Sequence, residues 1–501
     1  MADPAKTEEK RRAWGDEDEE EDSSSVVSSS SVTAASVAAE GMAAEGEASE
    51  LKKIEELSIT EKSRTLDDPE DSEIKAVTSG NTVYEAAVKF EDLNLSQDLI
   101  KGLYVEMGFT RPSKIQAVSL PMILTPPYKD LVAQAHNGSG KTTCFVLGML
   151  SRVDPTKEGP QAMCICPTRE LAQQNQAVLM RMGKYSGITS MCAIPSESAG
   201  YIPVYKRPEV KEHVVIGTPG TIKKLMTGRK LKTGNIKILV FDEADHMLAE
   251  GGFKDDSERI MKDIRKESGG CQVLLFSATF NETVKAFVSN VVRDGNQIFV
   301  KKEDLTLEKV KQYKVKCYRD RERPDERLKI EVIKKILEYG QKVGQTIIFV
   351  RTKESARNLH KQLSSEGYEC TSIQGALVIE DRDKIIKEFK DGLTQVLITT
   401  DLLARGFDQA QVNLVVNHDL PVNYESYRRG SPEPDCEVYL HRVGRTGRFG
   451  RKGAVFNLLG SRDDEALLEM IENHFQHKIP MVDNGQNDDS IVNAIKDAGL
   501  L

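Results

Sequence analysis

The stretch that decides the fold of this chain is residues 135–142, which read Ala-His-Asn-Gly-Ser-Gly-Lys-Thr. A glycine-rich turn of this kind wraps a polyphosphate in backbone N–H groups, with the lysine on its charge and the threonine hydroxyl on Mg²⁺. The stretch departs from G-x-x-x-x-G-K-[ST] at one position, where Ala135 stands for the first glycine. Lys141 and Thr142 are therefore candidate phosphate and metal ligands.

A second stretch lies about 100 residues downstream, where the apolar run 238–241 ends in Asp242-Glu243-Ala244-Asp245. An acidic pair at the end of a buried strand can hold Mg²⁺ with the first carboxylate and orient a water with the second. Together the two stretches predict nucleotide binding. About 200 residues further on, the arginine cluster 441–448 could reach a γ-phosphate from another domain. The pattern predicts an ATPase whose site is split between two domains.

Apolar runs rich in Val, Ile and Leu alternate with helical patterns, which indicates parallel sheets covered on both faces. The pattern restarts after a charged stretch, so we predict two α/β domains, 86–300 and 310–480, with a linker at 301–309 and a C-terminal extension at 481–501. Ligands of open α/β sheets bind outside the carboxyl ends of the strands. The predicted strands are 131–135, 162–166, 214–217, 238–241, 273–276, 346–350, 395–399, 414–417 and 454–458.

The charge of the chain is unevenly placed. Residues 1–80 contain 22 Asp and Glu against 9 Lys and Arg, a net of −13, so the chain total of −9 leaves +4 for residues 81–501. The first 50 residues have almost no large side chains and cannot bury enough apolar area to offset their ordering entropy. We therefore predict a disordered acidic tail over residues 1–85, with a short helical spacing at Leu51, Ile54 and Leu57.

The eight cysteines form no C-x-x-C pair, and Cys164 and Cys166 lie in an apolar run, so we expect reduced core thiols rather than a metal site. The acidic N-terminus does not resemble a signal peptide, and no apolar run approaches the ~20 residues needed to span a bilayer. The cytosol or the nucleus is the expected compartment, without membrane insertion.

An adenine site is indicated upstream of the glycine-rich turn. Gln116 follows Gly108-Phe109 and the run 111–116, and Phe90 lies 26 residues before it. A glutamine amide can bond the N6/N7 edge of adenine, which guanine cannot satisfy. We therefore predict that Gln116 reads adenine and that Phe90 stacks on the ring.

With these motifs in order, the chain resembles the DEAD-box RNA helicases of superfamily 2 over about 390 residues, from Phe90 to about Phe475. The motifs that carry the resemblance are Gln116, Ala135–Thr142, Pro167–Ala172, Thr218–Gly220, Asp242–Asp245, Ser277–Thr279, Ile348–Val350, Thr400-Asp401 with Ala404–Asp408, and His441–Arg448. The resemblance implies two RecA-like domains in tandem and an RNA-dependent ATPase that uses ATP and Mg²⁺.

The family's roles fall on residues of this sequence. Catalysis is implied for Lys141, Asp242, Glu243, Arg445 and Arg448, with Thr142 and Asp242 on the metal. Coupling between ATP and RNA is implied for Asp245, Ser277, Thr279 and His441. The implied ATP-binding residues are Phe90, Arg111, Gln116, Ala135, Asn137, Gly138, Ser139, Gly140, Lys141, Thr142, Thr143 and Asp408.

RNA contacts are implied at helix starts that follow strands, where free N–H groups and the helix dipole favour a phosphate. Such contacts address the backbone and the 2′-OH, so binding of single-stranded RNA without sequence preference is expected. In the second domain, Ile379 precedes Arg382 where the family usually has Gln, which puts one contact in doubt. The implied RNA-binding residues are Pro167, Thr168, Arg169, Glu170, Thr218, Pro219, Gly220, Arg351, Gly375, Thr400 and Asp401.

Within the family, the chain is most similar to the subgroup that acts in mRNA export at the nuclear pore, on motif details and a long insert at 422–438. The subgroup implies nuclear-pore and export factors as partners, including an inositol-phosphate-dependent activator, and a location in cytoplasm and nucleus. It also suggests that the helix near Leu51 suppresses hydrolysis. The sequence gives no sign of obligate oligomerisation, so a monomer is expected. Two rivals stay open: a slow ATP-gated RNA clamp that anchors a larger assembly, and an ATPase that acts on DNA.

Overall fold

The structure of the protein is a computed structural model with two sheets in succession along the chain. It describes residues 74–78, 84–135, 138–195, 203–249, 253–300, 310–318, 326–340, 344–373, 377, 379–401, 407, 409, 411–447, 451–482 and 489–501. The predicted helix near Leu51 and the 301–309 linker lie outside these residues.

The first sheet has eight strands in the order β1-β8-β2-β7-β6-β3-β5-β4. Strands β2 to β8 are parallel to one another, and β1 pairs antiparallel with β8 at the edge. The strands are β1 Ile74–Val77, β2 Leu131–Gln134, β3 Ala162–Ile165, β4 Ser190–Ala193, β5 Val214–Gly217, β6 Ile238–Phe241, β7 Gln272–Ser277 and β8 Asn296–Val300.

Eight α-helices accompany this sheet in the described part of the chain. They are α1 Gln97–Lys101, α2 Lys114–Leu124, α3 Lys141–Arg152, α4 Arg169–Met182, α5 Pro219–Thr227, α6 Ala244–Ala249, α7 Phe253–Ser268 and α8 Glu282–Val291. A π-helical turn at Gly102–Glu106 follows α1, and 3₁₀ turns lie at Phe90–Leu93 and Val204–Lys206.

The second sheet has seven parallel strands in the order β11-β12-β10-β13-β14-β9-β15. Its strands are β9 Val310–Lys316, β10 Gln345–Phe349, β11 Cys370–Ile373, β12 Val396–Thr399, β13 Val412–Asn417, β14 Gly453–Leu459 and β15 Met481–Val482. Its described helices are α9 Glu326–Gly340, α10 Lys353–Ser365, α11 Ile379–Lys390, α12 Tyr424–Arg428, α13 Cys436–Val443, α14 Arg462–Phe475 and α15 Asp489–Asp497.

Both faces of each sheet are buried, as the apolar runs predict. Successive strand residues point to opposite faces, so Leu131 and Ala133 pack in one apolar cluster and Val132 packs in another. Strand β10 does the same, with Ile348 in one cluster of the second domain and Ile347 in the other. The predicted fold class, two RecA-like α/β domains in tandem, is confirmed.

Strands that lack a continuous Val/Ile/Leu run were not predicted from the sequence. Strand β4 reads Ser-Met-Cys-Ala, and it lies at the sheet edge with three of its four residues half-buried. Strand β1 lies upstream of residue 86, inside the segment predicted to be a tail. In the described part of the chain, no helix combines the length and the apolarity that a membrane span requires.

Candidate active site

The glycine-rich turn joins the end of β2 to the start of α3. The Lys141 Nζ donates to the Ala135 carbonyl at 2.8 Å, so the buried ammonium lies inside the turn. Thr142 is half-buried beside it, and the Thr143 N–H donates to the Gly140 carbonyl. The turn thus gathers the predicted phosphate-binding groups at the carboxyl end of β2. Asn137 lies outside the described residues.

Gln116 shapes this turn, a role that the sequence analysis did not foresee. Its Nε2 donates to the Gly140 carbonyl at 3.3 Å, and its Oε1 accepts the Ser113 N–H at 3.0 Å. The Ser113 Oγ donates to the Ser139 carbonyl at 2.8 Å. Gly140 has φ +101°, and a Cβ there would overlap Nε2 of Gln116. The start of α2 therefore fixes the phosphate loop.

The other predicted adenine residues differ in exposure. Phe90 is fully buried, with its ring stacked on Phe109 at 6.5 Å between centroids and edge-on to Tyr104 at 6.2 Å. Arg111 is exposed. The described structure gives Phe90 a place in the core, so its stacking on adenine remains a prediction. Asp408, expected near the ribose, lies outside the described residues.

Asp242 follows β6 and accepts a hydrogen bond at each carboxylate oxygen. Its Oδ1 accepts the Glu243 N–H at 3.1 Å, and its Oδ2 accepts Nδ2 of Asn175 at 2.8 Å. Burial, with a smaller contribution from the neighbouring Glu243 charge, raises the Asp242 pKa to about 6. A buried oxygen ligand held by neutral donors suits a hard divalent cation such as Mg²⁺.

Glu243 adopts a left-handed backbone conformation, with φ +49°. Non-glycine residues adopt this region at an energetic cost and tend to do so at functional sites. Burial alone would raise the Glu243 pKa, but the attraction of His441, Arg445 and His246 outweighs it and the pKa is lowered. Because His441 and Arg445 belong to the second domain, the two domains share the electrostatics of this carboxylate.

The four predicted coupling residues meet at one buried point. Oδ2 of Asp245 accepts the Thr279 hydroxyl at 2.8 Å and lies 3.2 Å from His441 Nε2. The Ser277 Oγ donates to the Thr279 carbonyl at 2.7 Å. The end of β7 and helix α13 of the second domain are thus joined through one carboxylate. The family resemblance groups these four residues, and the structure brings them together.

The arginines of 441–448 have different environments. Arg445 is buried, and it donates through Nε to the His441 carbonyl at 3.0 Å and through Nη1 to the Phe407 carbonyl. Arg442, which the sequence analysis did not single out, donates to Asp401 Oδ1 at 2.6 Å and to the Asp419 carbonyl at 2.7 Å. Arg442 therefore links two strand ends of the second domain. Arg448 lies outside the described residues.

Two predicted RNA residues at the start of α4 form ion pairs with the second domain. Arg382 Nη2 lies 2.8 Å from Glu170 Oε2, and Arg169 Nη2 lies 3.2 Å from Asp383 Oδ2. Arg382 and Asp383 belong to α11, the helix in which the usual Gln is replaced. Arg169 and Glu170 thus lie at a contact between the two domains.

The other predicted RNA residues lie at helix starts and strand ends. Thr168 caps α4 by accepting the Leu171 N–H at 3.2 Å, and Thr218, Pro219 and Gly220 form the start of α5. In the second domain, the Arg351 N–H donates to Asp419 Oδ2 at 2.9 Å, Asp401 is bonded by Arg442, and Thr400 follows β12. Pro167 is buried just before Thr168. Gly375 lies outside the described residues.

Asn175 is a further functional candidate that the sequence analysis missed. It lies on the apolar face of α4, with Leu171 one turn before it and Leu179 one turn after it. A polar residue on that face was the available signal, since buried amides normally have a specific partner.

Comparison with known proteins agrees with this site. The DEAD/DEAH box helicase model matches residues 113–287, and the helicase conserved C-terminal domain model matches residues 328–450. DEAD-box ATP-dependent RNA helicase 38 of Oryza sativa subsp. japonica is 65% identical over 437 residues, which cover 87% of this chain and 85% of that protein. This chain belongs to the DEAD-box RNA helicase family. It is an ATP-dependent RNA helicase.

Solved structures of DEAD-box proteins share the fold of this chain. Dbp5 of S. cerevisiae bound to RNA and ADP BeF3 has a TM-score of 0.74 and 36% identity, covering 82% of this chain and 99% of that chain. A Dbp5 variant bound to a Gle1 variant and IP6 has a TM-score of 0.68 and 35% identity, covering 83% and 99% of the two chains. The DEAD-box assignment made from the motifs is confirmed.

Proposed function

We propose that this DEAD-box helicase hydrolyses ATP between its two domains and uses their closure on single-stranded RNA to separate short duplexes or to strip bound proteins. One observation carries the proposal: His441 of the second domain reaches Asp245 of the first at 3.2 Å. A catalytic site completed only by closure lets RNA binding and hydrolysis depend on each other.

The residues divide the chemistry among them. Lys141 offers its charge to the phosphates, and Glu243 orients the attacking water. Thr142 and Asp242 offer oxygen ligands to Mg²⁺, which when bound neutralises phosphate charge. Arg445, with Arg448, supplies positive charge to the γ-phosphate from the second domain. A contribution of this kind is worth about 10³–10⁵ in rate in related phosphoryl transfers.

RNA lies along the helix starts of the first domain and the strand ends of the second. The starts of α4 and α5, just after Thr168 and Thr218, present the positive end of a helix dipole to phosphate oxygens. Arg351, Thr400 and Asp401 continue the track in the second domain, with Gly375 as a further predicted contact. Since these groups address phosphates and the 2′-OH, RNA is preferred to DNA and sequence is not read.

The test is steady-state ATPase activity with a short single-stranded RNA, with DNA of the same sequence and with neither, in wild type and Glu243→Gln. We expect RNA, but not DNA, to stimulate the ATPase activity of the wild type strongly. This stimulation should be lost in Glu243→Gln. Equal stimulation by DNA would show a DNA-dependent ATPase. Activity indifferent to both would disprove the split site.

A slow RNA clamp is the second candidate, and the contacts between the domains favour it. Two ion pairs, Glu170–Arg382 and Arg169–Asp383, and a hydrogen bond from Asn281 to Glu437 at 2.7 Å hold the domains together. Such contacts slow reopening. A residence time on RNA much longer than one ATPase cycle, measured by dissociation of a fluorescent oligonucleotide with ATP, would identify the clamp.

We also propose a role in mRNA export, near the nuclear pore, with pore and export proteins as partners and an inositol phosphate as part of the activator. The support is the likeness to Dbp5, one of whose variants was solved with a Gle1 variant and IP6. The test adds the Gle1 homologue from the same cell to the ATPase assay, with and without IP6. Stimulation that needs both supports the role, and no stimulation contradicts it.

A further inference from the structure

The amide of Asn175 lies between helix α4 and the Asp242 carboxylate. The side chain is fully buried, and Nδ2 donates to Asp242 Oδ2 at 2.8 Å and approaches Cys166 Sγ at 3.4 Å. The orientation of the amide is fixed by chemistry, because a flipped amide would place its oxygen against the carboxylate oxygen.

Core packing does not explain an asparagine at this position. Its Oδ1 is buried and has no hydrogen-bond partner among the described residues. An unpaired buried polar atom destabilises a fold, and an apolar side chain would avoid that cost. The one strong contact of the amide is the bond to Asp242, so we attribute the asparagine at this position to its hydrogen bond with that carboxylate.

The two bonds to Asp242 together remove its rotational freedom. Asn175 holds Oδ2, and the Glu243 N–H holds Oδ1 at 3.1 Å from the other side. With both oxygens anchored, the carboxylate plane cannot turn about its terminal torsion. Groups that orient a metal's direct ligands in this way commonly change metal affinity 10- to 100-fold when they are removed.

We propose that Asn175 is a positioning residue for the Mg²⁺ site, holding the Asp242 carboxylate in the orientation in which it accepts the cation. The inference rests on the proposed function, in which Asp242 is an Mg²⁺ ligand. It adds a residue outside the motifs, six positions along α4 from Arg169. The helix that pairs with the second domain through Arg169 and Glu170 therefore also orients the metal-side carboxylate.

The experiment measures Mg²⁺ affinity at equilibrium, without turnover. Full-length protein is mixed with a fluorescent ADP analogue, first with EDTA and then with rising Mg²⁺, and the midpoint of the Mg²⁺ response is recorded. We expect Asn175→Leu to raise the midpoint by roughly tenfold or more, with nucleotide affinity in EDTA unchanged within about twofold. Asn175→Ala, which also lacks the donor but leaves space, should raise the midpoint equally.

The matched control is Gln176→Leu, which removes the adjacent amide, whose bonds go to Ser190. An unchanged midpoint in Asn175→Leu overturns the proposal, and so does an equal shift in Gln176→Leu. A shift in only one of the two Asn175 variants would make side-chain volume the cause and would also overturn it. Asp242→Asn tests separately whether Asp242 binds Mg²⁺ at all. If this variant leaves the Mg²⁺ midpoint unchanged, the assignment of Asp242 as an Mg²⁺ ligand fails.

Discussion

His441 Nε2 lies 3.2 Å from Asp245 Oδ2, and neither side chain is exposed to solvent. Since an ionised carboxylate only accepts, the imidazole donates through Nε2. Asp245 also accepts the Thr279 hydroxyl, so one carboxylate ties the ends of β6 and β7 to the second domain. Separation of the two domains would break this bond.

His441→Ala should therefore weaken closure more than nucleotide binding. Removing the hydrogen-bond partner of a buried carboxylate commonly costs about 2–5 kcal/mol, so we expect RNA stimulation of the ATPase to fall by at least about tenfold. Affinity for ADP should stay the same, because His441 contacts Asp245 and not the predicted nucleotide-binding groups. The control is Asn281→Ala, which removes an exposed bond to Glu437 and should cost less than about threefold.

The Glu170–Arg382 ion pair can be tested by exchanging the two charges. Glu170 is buried and Arg382 is nearly so, so Arg382→Glu places two carboxylates together and should lower RNA-dependent ATPase activity about tenfold or more. Combining it with Glu170→Arg should restore much of the loss. A double variant as defective as the singles would show that the residues act on RNA separately and not on each other.

The raised pKa of Asp242 predicts that this carboxylate destabilises the fold by an amount that depends on pH. Its folded pKa of about 6 lies above the ordinary 3.8, so the ionised carboxylate destabilises the fold above pH 6 and this cost fades as pH falls toward 3.8. Asp242→Asn should therefore raise the Tm of the nucleotide-free protein at pH 8, and the gain should shrink at pH 5. Differential scanning calorimetry at the two pH values measures this gain in Tm. A Tm difference that is the same at both pH values would contradict the prediction.

Gly140→Ala should abolish nucleotide binding, because the added Cβ meets Gln116 and the backbone has φ +101°. The control is Gly159→Ala, where φ is +98° but no atom lies within 4 Å of the added carbon. Both variants carry the backbone strain of about 1–2 kcal/mol. Only Gly140→Ala should lose the rise in Tm on adding ATP, and equal loss in both would make strain the cause.

The position of the edge strand β1 determines where a deletion of the acidic tail should end. Ile74–Val77 pairs with β8, so removal of residues 1–70 keeps the strand and removal of residues 1–80 does not. If the segment near Leu51 suppresses hydrolysis, the shorter deletion should raise the ATPase rate without RNA. An unchanged rate would end that hypothesis, while a lower Tm only in the longer deletion would show the contribution of β1.

Sequence alone determined the class of fold and the position of the glycine-rich turn. Buried parallel strands need continuous apolar runs, and a phosphate loop needs glycines beside a lysine, so Val240, Gly140 and Lys141 carry signals that are local in the chain. Strands β4 and β1 lack such a signal, because an edge strand is stabilised by its single neighbour and less by its own side chains.

Tertiary structure alone decided which residues are in contact; resemblance grouped Asp245 with His441 but gave no contact between them. Asn175 and Asp242 are 67 positions apart, and Asp245 and His441 are 196 apart. Partners this distant leave no periodic trace in the chain, because side chains that meet across a fold need only the right reach and chemistry. The same reason explains Glu170, predicted as an RNA contact and found paired with Arg382: a local motif gives a residue's type and exposure, and its partner is set by how two sheets close on each other.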